Sequence, residues 1–270
     1  MLAAPGAPAL QMIGAEPTGP RTGAPVLFLH GAFAGAWMWR EIFMPHLARR
    51  GWASAAVSLR GHGGSEGRDA LREARLSDYC DDVRRALAAF DEPPVVVAHS
   101  LGGLLAQMLI GRVTMRALAL LASLPPEGLM LESPRLAAME PRIWLEAFSG
   151  SLAGAKQPIT LAAYQLLFSE GLPPERVARY AARMIPEAPR ALADAHLPGP
   201  VLSASAFGIP TLVVGGTADR LVSRGSNLRT ALYHGAEHRM IDGVGHFLQL
   251  DLGAERVADE LLAWLDRHGA

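Results

Sequence analysis

The stretch Val95-Val96-Val97-Ala98-His99-Ser100-Leu101-Gly102-Gly103 decides the reading of this chain. Its first residues are aliphatic or small on successive positions, the pattern of a strand covered on both faces. Leu101–Gly111 then carries the apolar spacing of a helix, so Ser100 stands at a strand-to-helix junction. Ala98 and Gly102, two before and two after the serine, are small enough for a tight turn. In the nucleophile elbow G-x-S-x-G such a turn lifts the hydroxyl above the sheet edge. Helix N-terminal amides would then lie beneath it, where negative charge develops. Ala98 replaces the first glycine of that pattern. A serine here would equally serve as an ordinary helix N-cap.

Outward from this run, further buried strands are read at Val26–Leu29, Ala53–Leu59, Ala117–Ala122 and Thr211–Gly215. Ser77–Phe90 and Gly253–Arg267 have helical spacing, with Asp81 and Asp82 suiting the first turns of the former. Alternating strands and helices predict an α/β fold: a mostly parallel sheet with helices on both faces. The N-terminal arm is broken by Pro5, Pro8, Pro17 and Pro20 and reads as loose, with one short strand near Gln11–Ala15. The alternation stops between Leu124 and Phe207. That stretch offers helical pieces at Ser133–Ser149, Thr160–Ser169 and Glu175–Met184, punctuated by prolines. Long insertions in compact domains are usually functional, so residues 124–206 are expected to form a helical lid. Residues 1–123 and 207–270 are expected to form the two parts of the core.

Two further elements follow strands of this pattern. Thr211-Leu212-Val213-Val214-Gly215-Gly216-Thr217-Ala218-Asp219 places an aspartate after a strand and a glycine loop. Gly243-Val244-Gly245-His246-Phe247 places a histidine in a loop before the last helix. Ser100, Asp219 and His246 thus occur in that order. Active sites of open parallel sheets form beyond the strands' carboxyl ends. Asp242 and Asp251 are rival acids, but Asp251 falls at a helix start, where a capping carboxylate suffices.

With Phe28-Leu29-His30-Gly31-Ala32-Phe33 and Arg60-Gly61-His62-Gly63-Gly64-Ser65 added, the chain from about Val26 onward resembles the α/β-hydrolase superfamily. The run from His30 to Trp37, with Trp39, is similar to its methylesterase and hydroxynitrile-lyase branch. The resemblance implies Ser100 as nucleophile, His246 as general base and acid, and Asp219 as the group orienting the imidazole. It implies the backbone N–H groups of Ala32 and Leu101 as the oxyanion hole. It also makes His62 a turn-shaping residue and His99 part of the elbow's packing. Dehalogenases and epoxide hydrolases of this fold carry an aspartate where Ser100 stands. The related lyases carry threonine and lysine where this chain has Gly31 and Phe247. An esterase is therefore expected, acting on a small to medium carboxylic ester, lactone or thioester. Carbon–carbon bond hydrolysis by the same triad, or ligand binding without catalysis, are the alternatives.

Phe33, beside the oxyanion turn, is a candidate substrate contact. Trp144 and Phe148, four apart on a helix, either anchor the lid or wall the pocket and are candidates too. Half of the 270 residues are hydrophobic, 19% are charged and the net charge is −1. That balance excludes a disordered chain and gives no general attraction for nucleic acid or anionic membrane. Cys80 is the single cysteine, so no internal disulfide or thiolate zinc site is possible. The histidines lack metal-ligand spacing. No metal or cofactor is expected, and the expected partner is a small-molecule substrate. The N-terminus lacks a basic start and an unbroken apolar core. No stretch reaches the ~20 apolar residues of a membrane span, and a cytoplasmic protein is expected.

Overall fold

A computed structural model describes residues 1–146 and 159–268. A small antiparallel pair, β1 (Leu2–Ala4) and β2 (Ala7–Leu10), precedes a seven-stranded sheet. That sheet contains β3 (Met12–Ala15), β4 (Val26–Leu29), β5 (Ser54–Val57), β6 (Val95–His99), β7 (Ala117–Leu121), β8 (Thr211–Gly216) and β9 (Glu237–Ile241). Their spatial order is β3-β5-β4-β6-β7-β8-β9. Only β3 runs antiparallel; the other pairings are parallel.

The central strands bury both faces, and their side chains divide by the two-residue period of a strand. Val26, Phe28, Val95 and Val97 face one apolar layer with Trp39, Phe43 and Trp264. Leu27, Leu29, Val96 and Ala98 face the other with Tyr79, Val83, Leu104 and Leu105. The first layer is roofed by α1 (Phe43–Arg49) and the second by α2 (Leu76–Leu87) and α3 (Leu101–Met108). In the first layer Phe28 stacks on Trp39 with ring centroids 4.6 Å apart, and Phe43 meets Trp39 edge-on.

Strand order decides where a site can form. From β4 the chain steps outward to β5 and then returns to β6 on β4's other side. The connections reverse there, leaving a crevice beyond the carboxyl ends of β4 and β6. Leu29 lies level with Ala98 across that pair, so the residues following each strand emerge side by side.

Between β7 and β8 the chain is helical, with no strand among the described residues. It holds α4 (Glu132–Met139), a helical stretch at 141–146, α5 (Leu161–Gln165), α6 (Pro174–Ala181) and α7 (Pro189–Asp194). The single helix expected over Ser133–Ser149 is broken: Glu140 leaves helical geometry (φ −135°, ψ 57°) ahead of Pro141. A residue before proline is pushed out of the α region.

The N-terminal arm is also more ordered than expected. Arg85 of α2 donates to the carbonyls of Leu2 and Pro8, and Leu10 is fully buried. After β8 come α8 (Arg224–His234), β9 and α9 (Ala254–His268). No helix among the described residues is long and apolar enough to cross a membrane.

The Phe28–Trp39 stack should be a principal part of the core. Trp39→Ala is expected to lower unfolding free energy by about 3–5 kcal/mol, as large aromatic truncations do. Urea denaturation measures it, and a loss below about 1 kcal/mol would contradict the packing described.

Candidate active site

Ser100 joins β6 to α3 with φ 51° and ψ −118°, a region L-residues rarely occupy. The surroundings leave no room for side chains at the adjoining turns. A Cβ on Gly102 would lie 2.3 Å from the His30 carbonyl, and one on Gly103 would lie 2.2 Å from Ser123 Oγ. Gly31 fits equally closely, its virtual Cβ 2.8 Å from both His99 Nδ1 and Ser100 Cβ. At Ala98, by contrast, the Cβ is accommodated within the second layer, so the departure from glycine costs nothing sterically.

The serine hydroxyl meets His246 Nε2 at 3.1 Å, and His246 Nδ1 meets Asp219 Oδ2 at 3.0 Å. Tautomers follow from the partners: Nδ1–H donates to the carboxylate, leaving Nε2 to accept from the hydroxyl. Asp219 is held by two amides, Leu221 N–H at 2.8 Å and Val222 N–H at 3.0 Å, both to Oδ1. Its side chain is fully buried. The rival carboxylates have other partners. Asp242 accepts from Thr217, whereas Asp251 accepts from the Gly245 amide at 2.8 Å and from Ser169. Asp251 thereby braces the histidine loop without touching the imidazole.

The neighbouring histidines are neutral. Burial, reinforced by His62, holds His30 down at about 3; its Nδ1 donates to Gly31 O and its Nε2 accepts from Leu59 N–H. Burial and the nearby His246 hold His99 well below its usual value. His99 Nε2–H donates to the His246 carbonyl at 2.9 Å, so it fastens the backbone of the His246 loop as well as filling the elbow.

Above Ser100 lies a cavity of about 690 Å³, counting its open mouth. Ala32, Phe33, Leu101, Leu124, Leu129, Leu136, Trp144 and Phe247 are among the residues that line it with His246. The structure therefore brings together Ser100, Asp219, His246, Ala32, Leu101, Phe33 and Trp144. Trp144 lines the cavity and donates from Nε1 to Ser133 Oγ at 3.2 Å, a bond within the 124–206 segment and not to the core sheet. Phe148 lies outside the described residues.

A sequence profile of the alpha/beta hydrolase family matches residues 26–260. The chain belongs to that family. No curated protein sequence matches it. A thermophilic esterase from Thermogutta terrifontis superposes with a TM-score of 0.71 at 20% identity, covering 99% of this chain and 97% of that one. An enol-lactonase from Burkholderia xenovorans gives 0.69 at 16% identity, covering 96% of both chains. An N-acyl homoserine lactone degrading enzyme gives 0.66 at 25% identity, covering 97% and 98%.

Sequence reasoning passed over one buried carboxylate beside the site. Glu187, only 3% exposed, sits in the non-helical run between α6 and α7. Its Oε2 lies 3.2 Å from His62 Nε2. His62 Nδ1 donates to the Arg60 carbonyl at 3.0 Å, and Tyr79 O–H donates to Glu187 Oε1. Burial opposes both charges, but the pairing outweighs it. Glu187 is held down at about 2 by His62, Tyr79 and the Ala188 amide, and His62 is held above its usual 6.5 by the carboxylate against the weaker opposition of Arg68.

These shifts set opposite pH limits. Glu187 contributes stability above its ordinary 4.5, which is lost as pH falls toward 2. His62 contributes stability below 6.5, which is lost as pH rises through its elevated value. The stability difference between wild type and Glu187→Gln should therefore be widest between pH 4.5 and 6.5. Urea midpoints across pH measure it, and a difference flat on both sides of that window would contradict the ion pair.

Proposed function

We propose that this chain is a serine hydrolase that cleaves small to medium, uncharged carboxylic esters or lactones through an acyl-enzyme. The observation carrying this reading is the unbroken hydroxyl–imidazole–carboxylate relay of Ser100, His246 and Asp219 beneath an apolar cavity.

Ser100 Oγ attacks the substrate carbonyl carbon as His246 Nε2 takes its proton. Asp219 keeps the imidazole in the accepting tautomer and stabilises the cation that forms. The carbonyl oxygen becomes an oxyanion between the Ala32 and Leu101 N–H groups, each contributing about 3 kcal/mol in the transition state. Collapse breaks the ester C–O bond, and His246 returns its proton to the departing alkoxide. Water then repeats the sequence on the acyl-enzyme, delivering its proton to His246 and releasing the acid and a regenerated Ser100. Neutral His30 and His99 leave His246 as the base at the hydroxyl.

Residues 124–206 act, in this reading, as the lid that walls the acyl or alcohol group. Leu129, Leu136 and Trp144 come from that segment. Its arginines point elsewhere. Arg135 pairs with Glu132, Arg142 with Glu146, Arg176 and Arg179 with Glu41, and Arg190 with Glu73; Arg183 lies over the Trp37 ring. A carboxylate entering the cavity would find no cation among the described lining residues. Its burial without a partner costs several kcal/mol.

Two outcomes are expected with chromogenic esters. Ser100→Ala should reduce hydrolysis of p-nitrophenyl butyrate by about 10³-fold or more. Equal nitrophenol release by wild type and variant would overturn the catalytic reading in favour of a binding protein.

Wild-type kcat/KM for the butyrate should exceed that for the p-nitrophenyl hemisuccinate by about 100-fold. Comparable values would overturn the uncharged-substrate assignment. β-Diketones in the same panel read the carbon–carbon alternative directly.

A further inference from the structure

Phe33 follows the proposed oxyanion donor Ala32 and has a left-handed backbone, φ 68°. Glycine adopts that conformation freely, whereas a phenylalanine there must be held. The holding groups come from the helical segment. Phe33 N–H donates to Glu187 Oε2 at 3.2 Å, and Phe33 C=O accepts from Ile185 N–H at 2.9 Å. Both peptide units flanking Phe33 are therefore tied to one strap, Ile185-Pro186-Glu187-Ala188-Pro189. Two prolines restrict its backbone.

The strap is itself fixed. Ala188 N–H donates to Glu187 Oε1 at 2.8 Å, and Tyr79 of α2 and His62 after β5 meet the same carboxylate. On its other side Ala32 is bounded by Gly31, pressed against His99 and Ser100. The turn bearing the oxyanion donor is thus set between the elbow and a buried carboxylate.

We propose that Glu187 is a positioning residue: through the Phe33 amide it fixes the turn that aims the Ala32 N–H at the oxyanion. The helical segment thereby sets the rate of acyl transfer as well as walling the substrate. The inference rests on the serine-hydrolase reading. A carboxylate needed only to neutralise His62 would have no reason to accept an amide from a left-handed residue in the oxyanion turn. A charge-assisted bond is also stronger and more directional than a neutral one.

The test compares Glu187→Gln with wild type, Ser100→Ala and Val177→Ala. Val177 is a buried residue of α6 outside the cavity lining, so its truncation lowers stability without touching the turn. Glu187→Gln should lower kcat for p-nitrophenyl butyrate by about 10- to 100-fold with KM within about threefold, because a transition-state contact is lost. Inhibition by an alkylboronic acid, which forms a tetrahedral serine adduct, should weaken by a similar factor. Amide hydrogen exchange in the peptide spanning residues 30–35 should accelerate. Val177→Ala should change none of these.

Unchanged kcat and unchanged loop exchange in folded Glu187→Gln would overturn the proposal, as would equal losses in Val177→Ala. If Glu187→Gln does not fold, Glu187→Asp, which keeps the charge but withdraws the carboxylate, is read by the same criteria. Equal ester turnover by wild type and Ser100→Ala would instead refute the hydrolase reading, and loop exchange alone would then decide the clamp.

Discussion

The backbone of Ser100 is the constraint on which the site depends. Its φ and ψ cost about 1–3 kcal/mol and persist only where the surroundings over-determine them. Here Ser100 N–H is tied to the Leu121 carbonyl, and the Ser100 carbonyl accepts from Leu124 N–H. The elbow is thus anchored to β7 and the turn beyond it. Gly102 and Gly103 then let α3 press against the His30 carbonyl and Ser123. The motif's two small positions differ in kind. The one after the serine faces backbone and admits only hydrogen, while the one before it faces the apolar layer and admits a methyl. That difference explains how Ala98 stands in the motif without disturbing it.

The switch in strand order makes the elbow useful. Because β4 and β6 are neighbours in register, the turn after β4 lies against the serine. The proposed oxyanion donors, Ala32 and Leu101, then come from two separate segments with no long loop to order. Burial keeps His30 and His99 uncharged beside them. His62 is paired with Glu187, whose carboxylate favours its protonated form. In the proposed mechanism, developing negative charge would therefore meet fixed N–H dipoles in a poorly solvated crevice, where they act most strongly.

The central strands were legible because their burial is written in their residues. Ser100 and Asp219 were legible because each follows such a run, and His246 because it stands in a glycine-rich loop before the last helix. The rest was hidden for identifiable reasons. β9 is an edge strand, Glu-His-Arg-Met-Ile, and its partial exposure leaves no apolar run. In α8, Ser226, Asn227 and Thr230 are buried while Leu228 and Leu232 are exposed, inverting the pattern that marks a helix. The N-terminal strands depend on Arg85, a partner far along the chain. Glu187 is the sharpest case. Flanking prolines mark its segment as non-helical, but nothing local pairs it with His62, because only the folded sheet brings them together.

The helical segment touches both sides of the relay. On the serine side Ile185 and Glu187 hydrogen-bond the Phe33 backbone in the turn after β4. On the histidine side the Leu167 carbonyl accepts from His246 N–H at 2.8 Å, and Ser169 shares Asp251 with Gly245. Gly245 has no room for a Cβ because Leu167 and Phe168 lie against it. Leu136 and Trp144, from the earlier part of the segment, line the cavity, as do Leu167 and Leu192 from its later parts. Residues along the whole segment thus line the cavity, and its two later parts also carry hydrogen bonds to the loops of Phe33 and His246. A rigid displacement of the whole segment would break those bonds together and dismantle the site it covers. In the proposed reading, cavity shape and the geometry of the reacting groups are therefore coupled through the same segment, and they meet at Leu167, which lines the cavity and accepts from His246 N–H.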